Sequence, residues 1–169
     1  YLDPVSLQKE ETSPGTSGYA PIFPFGCNNS QYEAVRNALE HPISVIQGPP
    51  GTGKTQTILN IIANLLLSGK TVQIVSNNNS ATENVYEKLS SPRYGLGFIA
   101  AALGKQANKQ AFVEQQDGQY PDFSSWKLDE APETLREQIS GKSNRLKEVF
   151  DKKEQLARLK QEYAQLATE

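Results

Sequence analysis

Apolar positions along the chain change rhythm several times, and each change predicts an element. From Asn28, the residues Ala34, Val35, Ala38 and Leu39 recur at helical spacing, predicting a short amphipathic helix that ends before Pro42. Ile43-Ser44-Val45-Ile46 and Thr71-Val72-Gln73-Ile74-Val75 are compact β-branched runs, and both read as strands. Between them Ile58, Ile61, Ile62, Leu65 and Leu66 mark a helix closing at Gly69. Ala81 to Leu89 reads as a further helix with Val85 and Leu89 facing inward, and Phe98 to Leu103 as a third strand. This β-α-β-α-β alternation predicts an α/β fold, a parallel sheet with helices on its faces.

The two ends differ from this middle. Residues 1–26 are rich in Pro, Gly, Ser and Thr and read as an irregular lead-in, with Phe23 and Phe25 available to tack it onto a core. Residues 27–104 hold the alternating pattern and form the predicted core, and 105–131 a polar connector holding the only tryptophan, Trp126. From Pro132 to Glu169 no further proline intervenes. Val149, Leu156 and Tyr163 repeat every seven residues, as do Leu159 and Leu166, while Leu135, Ile139 and Leu146 keep another register. A long helix with an imperfect coiled-coil face is expected, one arm of a hairpin or a weak self-association element.

Composition narrows the class. The 169 residues suffice for one domain with a core of its own, and a formal charge of -2 argues against a protein that coats polyanions, though not against a local basic track. The chain opens at Tyr1 and contains no methionine, so an internal segment of a longer protein is expected. One cysteine, Cys27, excludes an internal disulfide, and one histidine, His41, excludes a His cluster for metal. No apolar run reaches the roughly 18 residues of a membrane span. A soluble cytoplasmic protein is the default expectation, with the nucleus left open.

The strongest chemical signal is Gly48-Pro49-Pro50-Gly51-Thr52-Gly53-Lys54-Thr55, a full match to the phosphate-loop pattern of P-loop NTPases. Glycines at 48, 51 and 53 permit backbone angles and close approach that a β-carbon would block. The loop's N–H groups can then converge on phosphate oxygens at the start of the following helix. Lys54 is the candidate cation for the β and γ oxygens, and the Thr55 hydroxyl a candidate Mg2+ ligand beside waters and phosphates. Lys54 and Thr55 are thus the catalytic candidates, with Gln56, the next residue, counted in the binding set. The predicted ligand is ATP with Mg2+.

A phosphate loop alone indicates only nucleotide binding. Upstream, Asn28-Asn29-Ser30-Gln31-Tyr32-Glu33-Ala34-Val35 follows the pattern N-x-x-Q-x-x-A-V, and together with the loop it resembles superfamily-one helicases. The likeness is to the branch of RNA-decay helicases and their DNA-acting relatives. It covers roughly residues 27–104 and implies a partial RecA-like ATPase domain. It also implies that Gln31 recognises the adenine edge, an amide being able to donate to the ring while accepting from the exocyclic amine. The same Asn28/Gln31 pair reads equally as a helix capping box.

After the second predicted strand, Ser76-Asn77-Asn78-Asn79-Ser80-Ala81-Thr82-Glu83 resembles the family's motif A-P-[ST]-N-x-A-V-D, with Asn79 and Ala81 fitting and Ser76, Asn77 and Glu83 departing. In the family this stretch touches the backbone of single-stranded nucleic acid, so Asn77, Asn79 and Ser80 are candidate DNA or RNA contacts. The alternative is ordinary N-capping by Asn79 or Ser80. Many members also carry a stalk of antiparallel helices near the tail's location.

ATP hydrolysis also needs an acidic pair beside the metal. The only Asp-Glu pair, Asp129-Glu130, follows a segment too polar for a buried strand and reads as surface. The chain therefore looks like the front half of a helicase or translocase motor, expected to turn ATP over slowly or not at all by itself. The rival expectations are a ring-forming or signalling P-loop ATPase, or a non-catalytic nucleotide-binding module with a dimerisation helix.

Overall fold

The computed structural model describes residues 20–115 and 122–166. Among them are five α-helices: α1 (Asn29–Glu40), α2 (Lys54–Leu67), α3 (Asn79–Ser90), α4 (Gln106–Glu114) and α5 (Pro132–Leu166). Short 3-10 turns lie at Gly97–Ile99 and Ser124–Trp126. The chain divides into two compact units, one formed by residues up to Lys70 with Ile139 onward, the other by Thr71–Gln138.

In the first unit α1 packs against α2. Asn28 starts α1 with a reciprocal capping box: its side chain accepts from Gln31 N, and Gln31 Oε1 accepts from Asn28 N, both at 2.9 Å. These bonds satisfy two donors that a helix start otherwise leaves without partners. Tyr32 and Val35 on α1, with Leu59 and Ile62 on α2, are buried. Gly69, with φ 71, closes α2: its own N–H reaches Leu66 O and the Lys70 N–H reaches Leu65 O, each at 2.9 Å. That is the double bond pattern of a glycine-terminated helix.

The opposite side of α2 carries a ladder of amides at i, i+4 and i+8. Asn64 Oδ1 accepts from Ile22 N at 2.9 Å, and Asn64 Nδ2 donates to Ile22 O at 2.8 Å. Asn60 Oδ1 accepts from Phe25 N at 3.2 Å, and Asn60 Nδ2 donates to Gly26 O at 2.8 Å. Gln56 Nε2 donates to Phe25 O. Helical side chains thus supply partners for the backbone groups of this proline-bearing segment, which turns at Pro24-Phe25. Phe23 stacks on Tyr32 with centroids 5.0 Å apart. The end of the lead-in is therefore ordered by polar zippering as well as by its aromatic rings.

The middle of α5 completes this unit. Ser143 is buried and donates to Pro21 O at 3.2 Å, Phe150 meets Tyr32 edge-on at 6.0 Å, and Lys147 pairs with Glu33. From Asp151 to Leu166 the helix is exposed. In the second unit Val85 and Leu89 of α3 are buried, and the 3-10 turn Gly97–Ile99 packs on that helix. Phe98, Phe123 and Trp126 form an edge-to-face cluster with centroids 5.3 to 5.7 Å apart. The helix α4 arises within the stretch expected to be a polar connector.

The α/β expectation, a RecA-like parallel sheet, is contradicted: the described residues contain helices and no strand. Ile43–Ile46 and Thr71–Val75 take no regular secondary structure and form no ladder, and Ile43, Val45 and Val75 are 84%, 89% and 80% exposed. Phe98–Ile99 lie in a 3-10 turn, and Ala100–Leu103 take no regular secondary structure. β-branched runs report a local preference for extended backbone, whereas a strand also needs a hydrogen-bonding neighbour, which such a run does not specify. The observed cores are built on helix faces instead. The expected helices do form, including the long one from Pro132, which runs unbroken through Gly141.

Candidate nucleotide-binding site

The phosphate loop is a tight backbone turn leading into α2. Gly51 and Gly53 adopt φ 84 and 80, a region that side chains with a β-carbon rarely occupy. A β-carbon on Gly53 would also collide with the Gln31 amide, and one on Gly48 would lie 2.7 Å from Thr52 Oγ1. Thr52 Oγ1 donates to Pro49 O at 2.9 Å, closing the turn across Pro50. The Lys54 ammonium reaches back over the loop, donating to Gly48 O and, at 2.9 Å, to Pro49 O. The first-turn N–H groups of α2 have no intrahelical acceptors, so the loop's end offers donors and a cation together.

Gln31 joins α1 to this loop. It is 8% exposed, and its Nε2 lies 3.2 Å from Thr52 O, 3.3 Å from Gly53 O and 3.2 Å from Gln56 Oε1. The capping bond and the loop contacts use opposite ends of one amide, so capping and contact with the loop coexist. Beside it opens a pocket of about 350 Å³, lined by Cys27, Asn28, Gln31, Gly51, Thr52, Gly53 and Gln56. Burial pushes the Cys27 thiol above its ordinary pKa, so it presents as a neutral wall atom.

The structure brings Gln31, Gly51, Thr52, Gly53 and Gln56 around one cavity, with Gly48, Pro49, Pro50, Lys54 and Thr55 on the adjoining loop and helix start. Cys27 and Asn28 line the same cavity and were not among the candidates; their position three and four residues before Gln31 was the available signal. Asn77, Asn79 and Ser80 belong to the second unit and are exposed at the start of α3. The cap there is Asn78, whose Oδ1 accepts from Ser80 N at 3.0 Å, rather than Asn79 or Ser80. Asp129 and Glu130 are exposed in a bend, and Glu130 Oε2 accepts from Gln138 Nε2 at 2.8 Å.

Among the described residues no cluster of three or more His, Cys, Asp or Glu could hold a metal. The loop's donor set nevertheless suits a magnesium carried in by a nucleotide: one hydroxyl, from the half-buried Thr55, with phosphate oxygens and waters as the other ligands. Glycine is needed at 48 and 53 because a β-carbon there would run into Thr52 Oγ1 or the Gln31 amide. No helix among the described residues is long and apolar enough to cross a membrane.

The sequence is similar to several known proteins. A family model described as an AAA domain matches residues 26–169. A regulator of nonsense transcripts 1 homolog from Drosophila melanogaster is 46% identical over 71 residues, which is 41% of this chain and 6% of that protein. An ATP-dependent helicase of Mycoplasma genitalium is 41% identical over 85 residues, or 50% of this chain and 7% of that protein. The DNA polymerase alpha-associated DNA helicase A of Schizosaccharomyces pombe is 40% identical over 80 residues, 45% of this chain and 12% of that protein. The chain thus matches only a small part of the length of these curated relatives. No solved structure matches it significantly. The chain belongs to the AAA-domain family, within the superfamily-one helicase branch of RNA-decay and DNA-replication helicases, and carries the ATP-binding segment of such a helicase.

Proposed function

We propose that the chain binds ATP with Mg2+ in the pocket between α1 and the phosphate loop, as the nucleotide-binding part of a motor that moves on single-stranded DNA or RNA. The observation that carries this reading is Gln31, whose amide lines the cavity and contacts the backbone of Thr52 and Gly53. One side chain therefore serves the base-side wall and the phosphate-side loop together. In this reading Gln31 takes the adenine edge, and the loop N–H groups from Gly51 to Thr55 with the α2 start hold the phosphates. Lys54 leaves the Gly48 and Pro49 carbonyls for the β and γ oxygens, and the Thr55 hydroxyl ligates Mg2+. Magnesium held there would supply positive charge to offset that of the phosphates.

The exposed polar start of α3, with Asn77, Asn79 and Ser80, suits contacts to a nucleic-acid backbone. The exposed Asp129 and Glu130 do not offer the buried acid pair that hydrolysis needs, so slow turnover by this chain alone is part of the proposal. So is a cytoplasmic or nuclear setting. Calorimetric titration with Mg·ATP and Mg·GTP tests the base-side reading. Wild type should prefer ATP. Gln31→Ala removes the amide altogether, and should weaken ATP binding about tenfold to a hundredfold while leaving GTP binding nearly as it was. Equal affinity of wild type for the two nucleotides would refute the adenine assignment.

A further inference from the structure

We infer that Gln56 is a positioning residue for base selection: it fixes which way the Gln31 amide faces, through a one-directional relay anchored on the backbone of Phe25. This rests on the adenine reading of the pocket proposed above.

An amide side chain can turn end over end, exchanging its donor and acceptor, unless its partners forbid it. Here both ends of a two-amide chain meet groups of single polarity. At one end the Asn28 N–H, which can only donate, lies 2.9 Å from Gln31 Oε1. At the other the Phe25 carbonyl, which can only accept, takes Gln56 Nε2. Between them Gln31 Nε2 donates to Gln56 Oε1 at 3.2 Å. Turning either amide would set carbonyl against carbonyl and N–H against N–H along the chain. Phe25 is itself held, because Asn60 Oδ1 accepts from its N–H and Asn60 Nδ2 donates to the next carbonyl, of Gly26. The relay therefore runs from the α1 cap, through two glutamines, to a lead-in segment zippered onto α2.

Its consequence lies in the pocket that both glutamines line. With Nε2 committed to Gln56 and the loop carbonyls, Gln31 Oε1 keeps acceptor capacity beyond the Asn28 bond. An exocyclic amine, as on adenine, satisfies that oxygen, whereas a ring carbonyl in the same place, as on guanine, repels it. Thr52 O and Gly53 O favour the same orientation of Gln31, so removing Gln56 weakens the bias without abolishing it.

The test measures Mg·ATP and Mg·GTP affinities of the whole chain and reads their ratio. Gln56→Ala should lower the ATP preference about threefold to tenfold, the worth of one hydrogen bond. Gln56→Glu keeps an acceptor facing Gln31 Nε2, so it should hold the wild-type ratio even if both affinities change. A purely structural role for Gln56 would weaken both nucleotides alike and leave the ratio unmoved. A wild type that prefers ATP with Gln56→Ala at the same ratio overturns the relay, and so does a Gln56→Glu variant that loses the preference. A wild type with no preference overturns the adenine reading beneath it. Should Gln56→Ala not fold, Gln56→Lys substitutes a donor for the acceptor and must lose the preference; retention there also overturns the inference.

Discussion

Lys54 Nζ donates to the carbonyl oxygen of Pro49 at 2.9 Å, so the loop's own backbone holds the ammonium that a phosphate would take. Phosphate binding exchanges neutral carbonyl acceptors for anionic ones, and hydrogen bonds to charged groups are the stronger kind. Lys54 is exposed and contributes nothing to the apolar core. Lys54→Ala should raise the ATP dissociation constant at least about tenfold, with unfolding free energy within about 0.5 kcal/mol of wild type. Calorimetry and urea titration measure the two effects separately. Unchanged ATP affinity would exclude Lys54 from the phosphate site.

Asn60, fully buried, connects α2 to two backbone groups of the lead-in. Asn60→Ala would leave the Phe25 N–H and the Gly26 C=O without their present partners and remove a well-packed amide. With Phe25 half-buried and Gly26 exposed, a loss of about 0.5–1.5 kcal/mol per hydrogen bond removed is the expected range. Asn60→Asp should be at least as damaging, since a carboxylate cannot donate to Gly26 O. Chemical denaturation decides it, and a loss under about 0.5 kcal/mol would show that water replaces the amide freely.

The same residues show where legibility ended. α1, α2 and the long α5 were readable because helical periodicity and terminators such as Pro42 and Gly69 act within a few residues. Gln31's capping geometry was likewise local. The ladder was not readable: Gln56, Asn60 and Asn64 look like polar interruptions of an apolar helix until the segment from Ile22 to Gly26 lies beside them. The reading of Ile43–Ile46 and Thr71–Val75 as strands failed for the converse reason, since β-branching encodes an extended backbone but no partner. The cap of α3 was misplaced because Asn77, Asn78 and Asn79 are chemically alike, and only the backbone decides which one turns the corner.

The Glu33–Lys147 pair ties α1 to α5 and gives stability a pH signature. The hydrogen bond from Lys147, helped by the charge of Arg36 and opposed by burial, holds the Glu33 carboxyl below its ordinary 4.5. Hydrogen bonds to Glu33 and then Asp151 hold Lys147 above 10.5. A depressed acid contributes fully above its unfolded pKa and loses that contribution as pH falls through the folded one; a raised base contributes fully below its unfolded pKa and loses it as pH rises through its folded one. The pair's contribution is therefore complete between 4.5 and 10.5 and fades on either side. Lys147→Met keeps the apolar stem and should lower the melting temperature slightly at neutral pH, since the pair is only half-buried and still screened by water. The deficit should shrink once pH falls below 4.5. A deficit that persists undiminished in acid would assign it to packing against Tyr32.

The far half of α5 offers the last prediction. Leu156, Leu159, Tyr163 and Leu166 are 52%, 61%, 75% and 72% exposed. Covering such side chains gains on the order of 1.5–3 kcal/mol each when burial is complete. Two heptads with a mixed register form a marginal seam, so pairing between two copies of this chain should be weak and concentration-dependent. Sedimentation velocity across a wide concentration range should show wild type moving toward dimer while Leu156→Lys/Tyr163→Lys stays monomeric. The double variant changes only exposed positions, so its melting temperature should stay near that of wild type. Identical monomeric behaviour of both proteins would defeat self-association, because the seam would then lack the complementarity to cover itself.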